Sequence, residues 1–196
     1  MFFDPLYFVF LAPALLLAFV AQIMVRSAYA TGNTVAARMS GYSAARQVLD
    51  AEGLYTVEIE QVPGHLSDHY DPQAKVLRLS PEVYHGQTAS AVGIAAHEAG
   101  HAIQDAHNYA PLMIRNAAVP IAGFGSGFGL VLLMVGIGFG FTLLAWVGVA
   151  LFAAVAFFQI VNLPVEFNAS TRAKLALANL GIIDQQEMYY VKKLLN

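Results

Sequence analysis

From Ala117 to Pro164 the chain runs for about 48 residues without a Lys, Arg, Asp or Glu. A chain of 196 residues has no core large enough to hide such a block from water. A bilayer-crossing helix takes roughly 20 apolar residues, so the block is long enough for two crossings and reads as a helical hairpin. Its turn is expected at Gly136-Ile137-Gly138-Phe139-Gly140, and Gly123, Gly125, Gly127 and Gly129 fall at the small-residue spacing of close helix packing. A second apolar run, Leu6 to Val25, has the length of one more crossing. It carries no Lys or Arg before Arg26, unlike the basic start of a signal peptide, and reads as a retained span that tolerates Pro13. With 58% apolar and 12% charged residues overall, a mainly α membrane protein with three transmembrane helices is expected. The segments are 1–25 (first span), 26–116 (polar), 117–164 (hairpin) and 165–196 (polar).

The ten Lys and Arg residues set an orientation. All lie between the first span and the hairpin or after it, in segments 26–116 and 165–196. Positive charge is retained on the cytoplasmic side, so both segments are expected there, in a multi-pass protein of the cell membrane. A hairpin returns the chain to the side it left, so the two segments can build one site. There is no basic run, and the net charge of -3 argues against nucleic acid as a partner. Absence of cysteine removes disulfides, thiolate ligands and cysteine nucleophiles, so any metal must sit on His, Asp or Glu.

The polar segments show helix and strand signals. Tyr29 to Leu54 reads as one helix stopped by Gly53, and Tyr55 to Glu60 and Lys75 to Ser80 alternate as strands, the second after a turn at Asp71-Pro72-Gln73. A helix is expected from about Thr88 to near His107, another from Val165 to Asn179, and a short last one from about Asp184 to Leu195.

Within the alanine-rich helix, His97-Glu98-Ala99-Gly100-His101 has the H-E-x-x-H pattern. Two histidines four residues apart point the same way from a helix and can share a zinc ion, while the intervening glutamate can serve as general base for an attacking water. A catalytic zinc needs a third protein ligand and an open position. His107 stands at the metzincin spacing, but Gln104 occupies the place of the glycine that would turn the chain back. Glu166 lies just past the hairpin, on the side where the H-E-x-x-H helix is expected, and is the better placed of the two. The chemistry indicated is zinc-dependent peptide hydrolysis with Glu98 as base and His97, His101 and Glu166 as ligands. Peptides or membrane proteins beside the bilayer are the expected substrates. A zinc-binding membrane scaffold that cleaves nothing is the competing reading, and an intact Glu98 speaks against it.

Tyr42-Ser43-Ala44-Ala45-Arg46, Asp68-His69-Tyr70-Asp71-Pro72, Leu79-Ser80, Ala95 to Gln104 and Leu163-Pro164-Val165-Glu166-Phe167 together resemble the YugP-like family of neutral zinc metallopeptidases, which are bacterial membrane proteins. The likeness covers nearly the whole chain and implies a small α+β zincin-like catalytic domain carrying the H-E-x-x-H helix. That family is similar to the HtpX-like membrane proteases, in which the third ligand is the glutamate of an E-x-x-x-D segment after a membrane hairpin. Glu166 matches that glutamate. Ser170 stands in place of the aspartate that supports a ligating histidine, so that support is either weaker here or supplied by Asn168. In proteases of this type the strand before the motif helix commonly takes the peptide as an added strand, a role open to Lys75 to Ser80. His69 and Arg172 are candidate donors to a tetrahedral oxyanion. His65 and His85 read as surface or loop residues.

Overall fold

The computed structural model describes residues 5–195; Met1 to Asp4, where the expected first segment begins, and Asn196 lie outside the described residues. The protein is mainly helical with one small sheet. Helix α1 (Pro5–Asn33) carries Pro13 within it and continues well beyond Val25. The single helix expected from Tyr29 to Leu54 is instead two, because the chain breaks after Asn33 and restarts at α2 (Gly41–Ala51). Ser40 makes the restart, its hydroxyl accepting from the Ser43 N–H, and Gly53 ends the segment at φ +73°, a conformation glycine adopts without strain.

Three strands follow: β1 (Glu58–Gln61), β2 (His69–Asp71) and β3 (Val76–Leu79). Their order is β1-β3-β2, with β1 parallel and β2 antiparallel to β3. The strand expected to receive a peptide is therefore central, with both of its edges already paired. The short β2 matches neither strand pattern, and its last residue, Asp71, falls in the segment read as a turn.

A short helix α3 (Pro81–His85) leads to α4 (Ala89–Ala106), the motif helix. Thr88 caps α4 by accepting from the Ala91 N–H, and α4 runs unbroken through Gln104. Its alanines and glycines permit close approach from every side, so Val92, Ala95, Ala96, Ala99 and Ile103 are buried against α2, the sheet and the C-terminal helices.

Helix α5 (Ala110–Gly138) and helix α6 (Thr142–Asn179) form the hairpin, with the turn at Phe139 to Phe141. α5 bends by 43° at Pro120, where proline removes a helical hydrogen bond. By length and composition α1 and α6 could each cross a membrane, and the two arms of α5 could together make a third crossing. Large apolar side chains such as Phe10, Leu143 and Trp146 stand exposed along α1 and α6, as lipid favours and water does not. Two of the four glycines in the expected packing face do pack: a Cβ on Gly125 or Gly129 would meet Leu151, whereas Gly123 and Gly127 face open space.

At 38 residues α6 is about 57 Å long, almost twice the roughly 30 Å hydrocarbon core of a bilayer. No separate helix begins at Val165, since Pro164 lies inside α6 and the helix continues through it. Packing of both arms outweighs the one hydrogen bond that proline removes. The C-terminal part of α6 thereby carries Val165, Ala169, Ala173 and Leu177 into the polar half, where they are fully buried with α4 and with α7 (Gln185–Leu195).

Candidate metal centre

The crossing of α4 and α6 creates the site. Gly100 lies directly against the Ala169 backbone, so residues on either side of the crossing, His97 and His101 on α4 and Glu166 and Ser170 on α6, meet in one place. The Glu166 Oε2 is 3.1 Å from His97 Nε2 and 3.6 Å from His101 Nε2. One donor atom from each of the three residues lies within 4.8 Å of the other two. In a tetrahedral zinc site, bonds of 2.0–2.2 Å put neighbouring ligand atoms about 3.4 Å apart, so this donor set fits zinc with small adjustments and leaves a fourth position open.

The other ring nitrogens are also engaged, which sets which nitrogen faces the ligand cluster. Ser170 Oγ lies 3.2 Å from His97 Nδ1. Gln104 is fully buried, and its Nε2 donates to the Val165 carbonyl at 2.8 Å and to Asn168 Oδ1 at 3.0 Å. Its carbonyl oxygen is thus turned to His101 Nδ1, 3.0 Å away, which holds the proton there and leaves the His101 Nε2 lone pair for the metal. Asn168 also accepts from Arg172 Nε at 2.8 Å. Asn168 therefore supports His101 through Gln104 and hydrogen-bonds to neither histidine, while Ser170 takes the position beside His97.

His107 belongs elsewhere. It caps the C-terminus of α4 and pairs with Arg172 Nη1 at 3.0 Å. Arg172 consequently lies behind the ligands, in their supporting network. His69 is exposed on β2, its Nδ1 beside the Ser67 carbonyl, and lines a shallow pocket with Arg115.

Glu98 sits between the two histidines in sequence and beside a cleft of about 550 Å³ that it lines with His97. Burial pushes the Glu98 carboxyl above its ordinary value, and the neighbouring His101 and His97 only partly offset this. Burial alone would lower the His101 imidazole, but Glu166 and Glu98 outweigh it and raise the group. Arg26 and Tyr29 of α1, together with His65 and Asp68, supply the rest of the polar lining. Leu66, Ile94 and Leu195 make the cleft largely apolar. Sequence reasoning missed both Gln104, which reads only as a missing glycine, and His65, whose place in the cleft depends on tertiary contacts of its loop that the turn signal at Val62 to His65 does not reveal.

Comparison with known proteins places the chain among zinc metallopeptidases by family. The family model described as "putative neutral zinc metallopeptidase" matches residues 7–196. The chain is 42% identical over 192 residues to "Putative membrane protease YugP" of Bacillus subtilis (strain 168), covering 96% of this chain and 85% of that protein. No solved structure matches. Both matches extend over nearly the whole chain, spans and polar segments together, and the chain belongs to the family of putative neutral zinc metallopeptidases.

Proposed function

We propose that the protein is a membrane-embedded zinc-dependent endopeptidase that hydrolyses peptide bonds of membrane or membrane-proximal proteins. The observation that carries the reading is the convergence of His97, His101 and Glu166 donor atoms within 4.8 Å, with Glu98 at the edge of the adjoining cleft. Zinc held by these three would polarise a peptide carbonyl and make water a better nucleophile. Glu98 takes a proton from the attacking water and returns it to the leaving amine, a role favoured by a carboxyl whose affinity for protons burial has raised. Gln104 and Ser170 hold the two imidazoles in orientation.

In this reading α1, α5 and α6 are three spans, and the polar segments 26–116 and 165–196 form a zincin-like catalytic unit on the cytoplasmic side. The distribution of Lys and Arg supports that side. Substrates near the membrane follow from α1, whose Arg26 and Tyr29 line the cleft where the helix leaves its apolar stretch. The test is cleavage of membrane-protein substrates in proteoliposomes by zinc-loaded protein and by Glu98→Gln. Cleavage by the first and loss of at least 100-fold in the second supports a peptidase; zinc bound by both with no cleavage by either favours the scaffold.

A further inference from the structure

We propose that His65 is the hydrogen-bond donor that meets the oxyanion formed during peptide hydrolysis, an inference that rests on the peptidase reading above. His65 lies in the loop between β1 and β2 and lines the same cleft as His97 and Glu98. Its Nδ1 is 2.7 Å from Glu82 Oε2, and the Tyr29 hydroxyl donates to that same oxygen at 3.0 Å. The Tyr29 and His65 rings meet edge to face at 5.8 Å. The imidazole is thus held by a carboxylate and an aromatic ring, while its Nε2 has no hydrogen-bond partner among the described residues. An imidazole oriented through one nitrogen by a carboxylate, with the other free in a cleft beside a general base, is arranged to stabilise developing charge.

The loop backbone adds a second observation. Gly64 has φ +120° and Leu66, which is not glycine, has φ +54°. A leucine in the left-handed region costs free energy that the surroundings must supply. They do so through Asp68, whose carboxylate accepts from the Ser80 N–H at 2.7 Å and from the Ser80 hydroxyl, tying the loop to the end of β3. Neither earlier candidate has this placement. His69 lies in a different pocket, and Arg172 is committed to Asn168 and His107.

As the water oxygen bonds to the carbonyl carbon, the C=O π pair moves onto oxygen. His65, its other ring nitrogen held by Glu82, donates its Nε2–H to that oxygen without giving up the proton. When the C–N bond breaks, the pair returns to the carbonyl, and the amine leaves with the proton that Glu98 took from water.

The experiment compares zinc-loaded wild type with His65→Ala, His65→Gln and Glu82→Gln, each purified in detergent. Two probes are titrated: a phosphinic pseudopeptide with apolar flanking side chains, whose tetrahedral oxygens mimic the oxyanion, and acetohydroxamate, which reports on the metal alone. His65→Ala is expected to weaken phosphinate binding by about 100-fold while zinc content and hydroxamate affinity stay unchanged. His65→Gln, which keeps an N–H donor, should recover part of the loss, and Glu82→Gln should fall between. Equal phosphinate affinity in wild type and His65→Ala, or equal loss of both probes, overturns the assignment. A wild type that holds zinc yet binds neither probe overturns the peptidase reading itself.

Discussion

A Cβ built on Gly100 would stand 2.7 Å from the carbonyl oxygen of Ala169. The contact is backbone to backbone, so no side chain can swing aside to relieve it. Gly100→Ala must therefore push α4 and α6 apart at the point where the proposed ligands meet. Overpacking of this kind costs about 1–3 kcal/mol. We predict a lower melting temperature in detergent together with weaker zinc binding, measured by thermal unfolding and chelator competition; unchanged values of both would show that the crossing has slack.

Gln104 offers a test of orientation separate from ligation. Gln104→Met keeps the volume but strands His101 Nδ1–H and the Val165 carbonyl, both of which Gln104 satisfies. Loss of such a partner typically costs 10- to 100-fold in metal affinity. That drop is expected here with the fold intact by circular dichroism, and full zinc affinity would show that the buried amide serves packing alone.

Glu98 makes a prediction about pH. Because burial raises its folded value, the carboxyl binds its proton more tightly folded than unfolded. At neutral pH the ionised group is destabilising, and that cost is relieved as pH falls through the raised value. Metal-free Glu98→Gln should accordingly melt higher than wild type at pH 7 and lose the advantage toward low pH. The acid limb of kcat/KM should lie above the ordinary glutamate value of about 4.3. An acid limb at or below that value would place the base elsewhere.

The topology is tested with reporters inserted near Gly64 and fused after Asn196. Both should report cytoplasm, since all ten Lys and Arg residues fall in the segments that carry them. Opposite signals would break the three-span arrangement and the route that brings Glu166 to the histidines.

The parts of this molecule that were legible in sequence are those fixed by local period or by length. His97 and His101 share a face because four residues make about one helical turn, and α4 ends within a residue of where its pattern ends. The hairpin was legible because charge is absent for so long, and its return explains why Glu166 could be weighed at all. What was not legible depends on tertiary contact. Gln104 looks like a flaw in a metzincin pattern until Val165 and Asn168 are seen beside it. Pro164 reads as a helix start until the packing that carries α6 through it is visible. The break before Ser40 and the central place of β3 likewise follow from contacts made far along the chain, including the bridge between Ala36 and Thr88.

Zinc content reports directly on the proposed three-residue metal centre. Elemental analysis of purified wild type, His97→Ala, His101→Ala, Glu166→Ala and His107→Ala is the deciding measurement. About one zinc per chain is expected in wild type and in His107→Ala, and little in the other three, because two remaining ligands hold zinc poorly. Zinc retained by Glu166→Ala but lost from His107→Ala would make His107 the third ligand in place of Glu166.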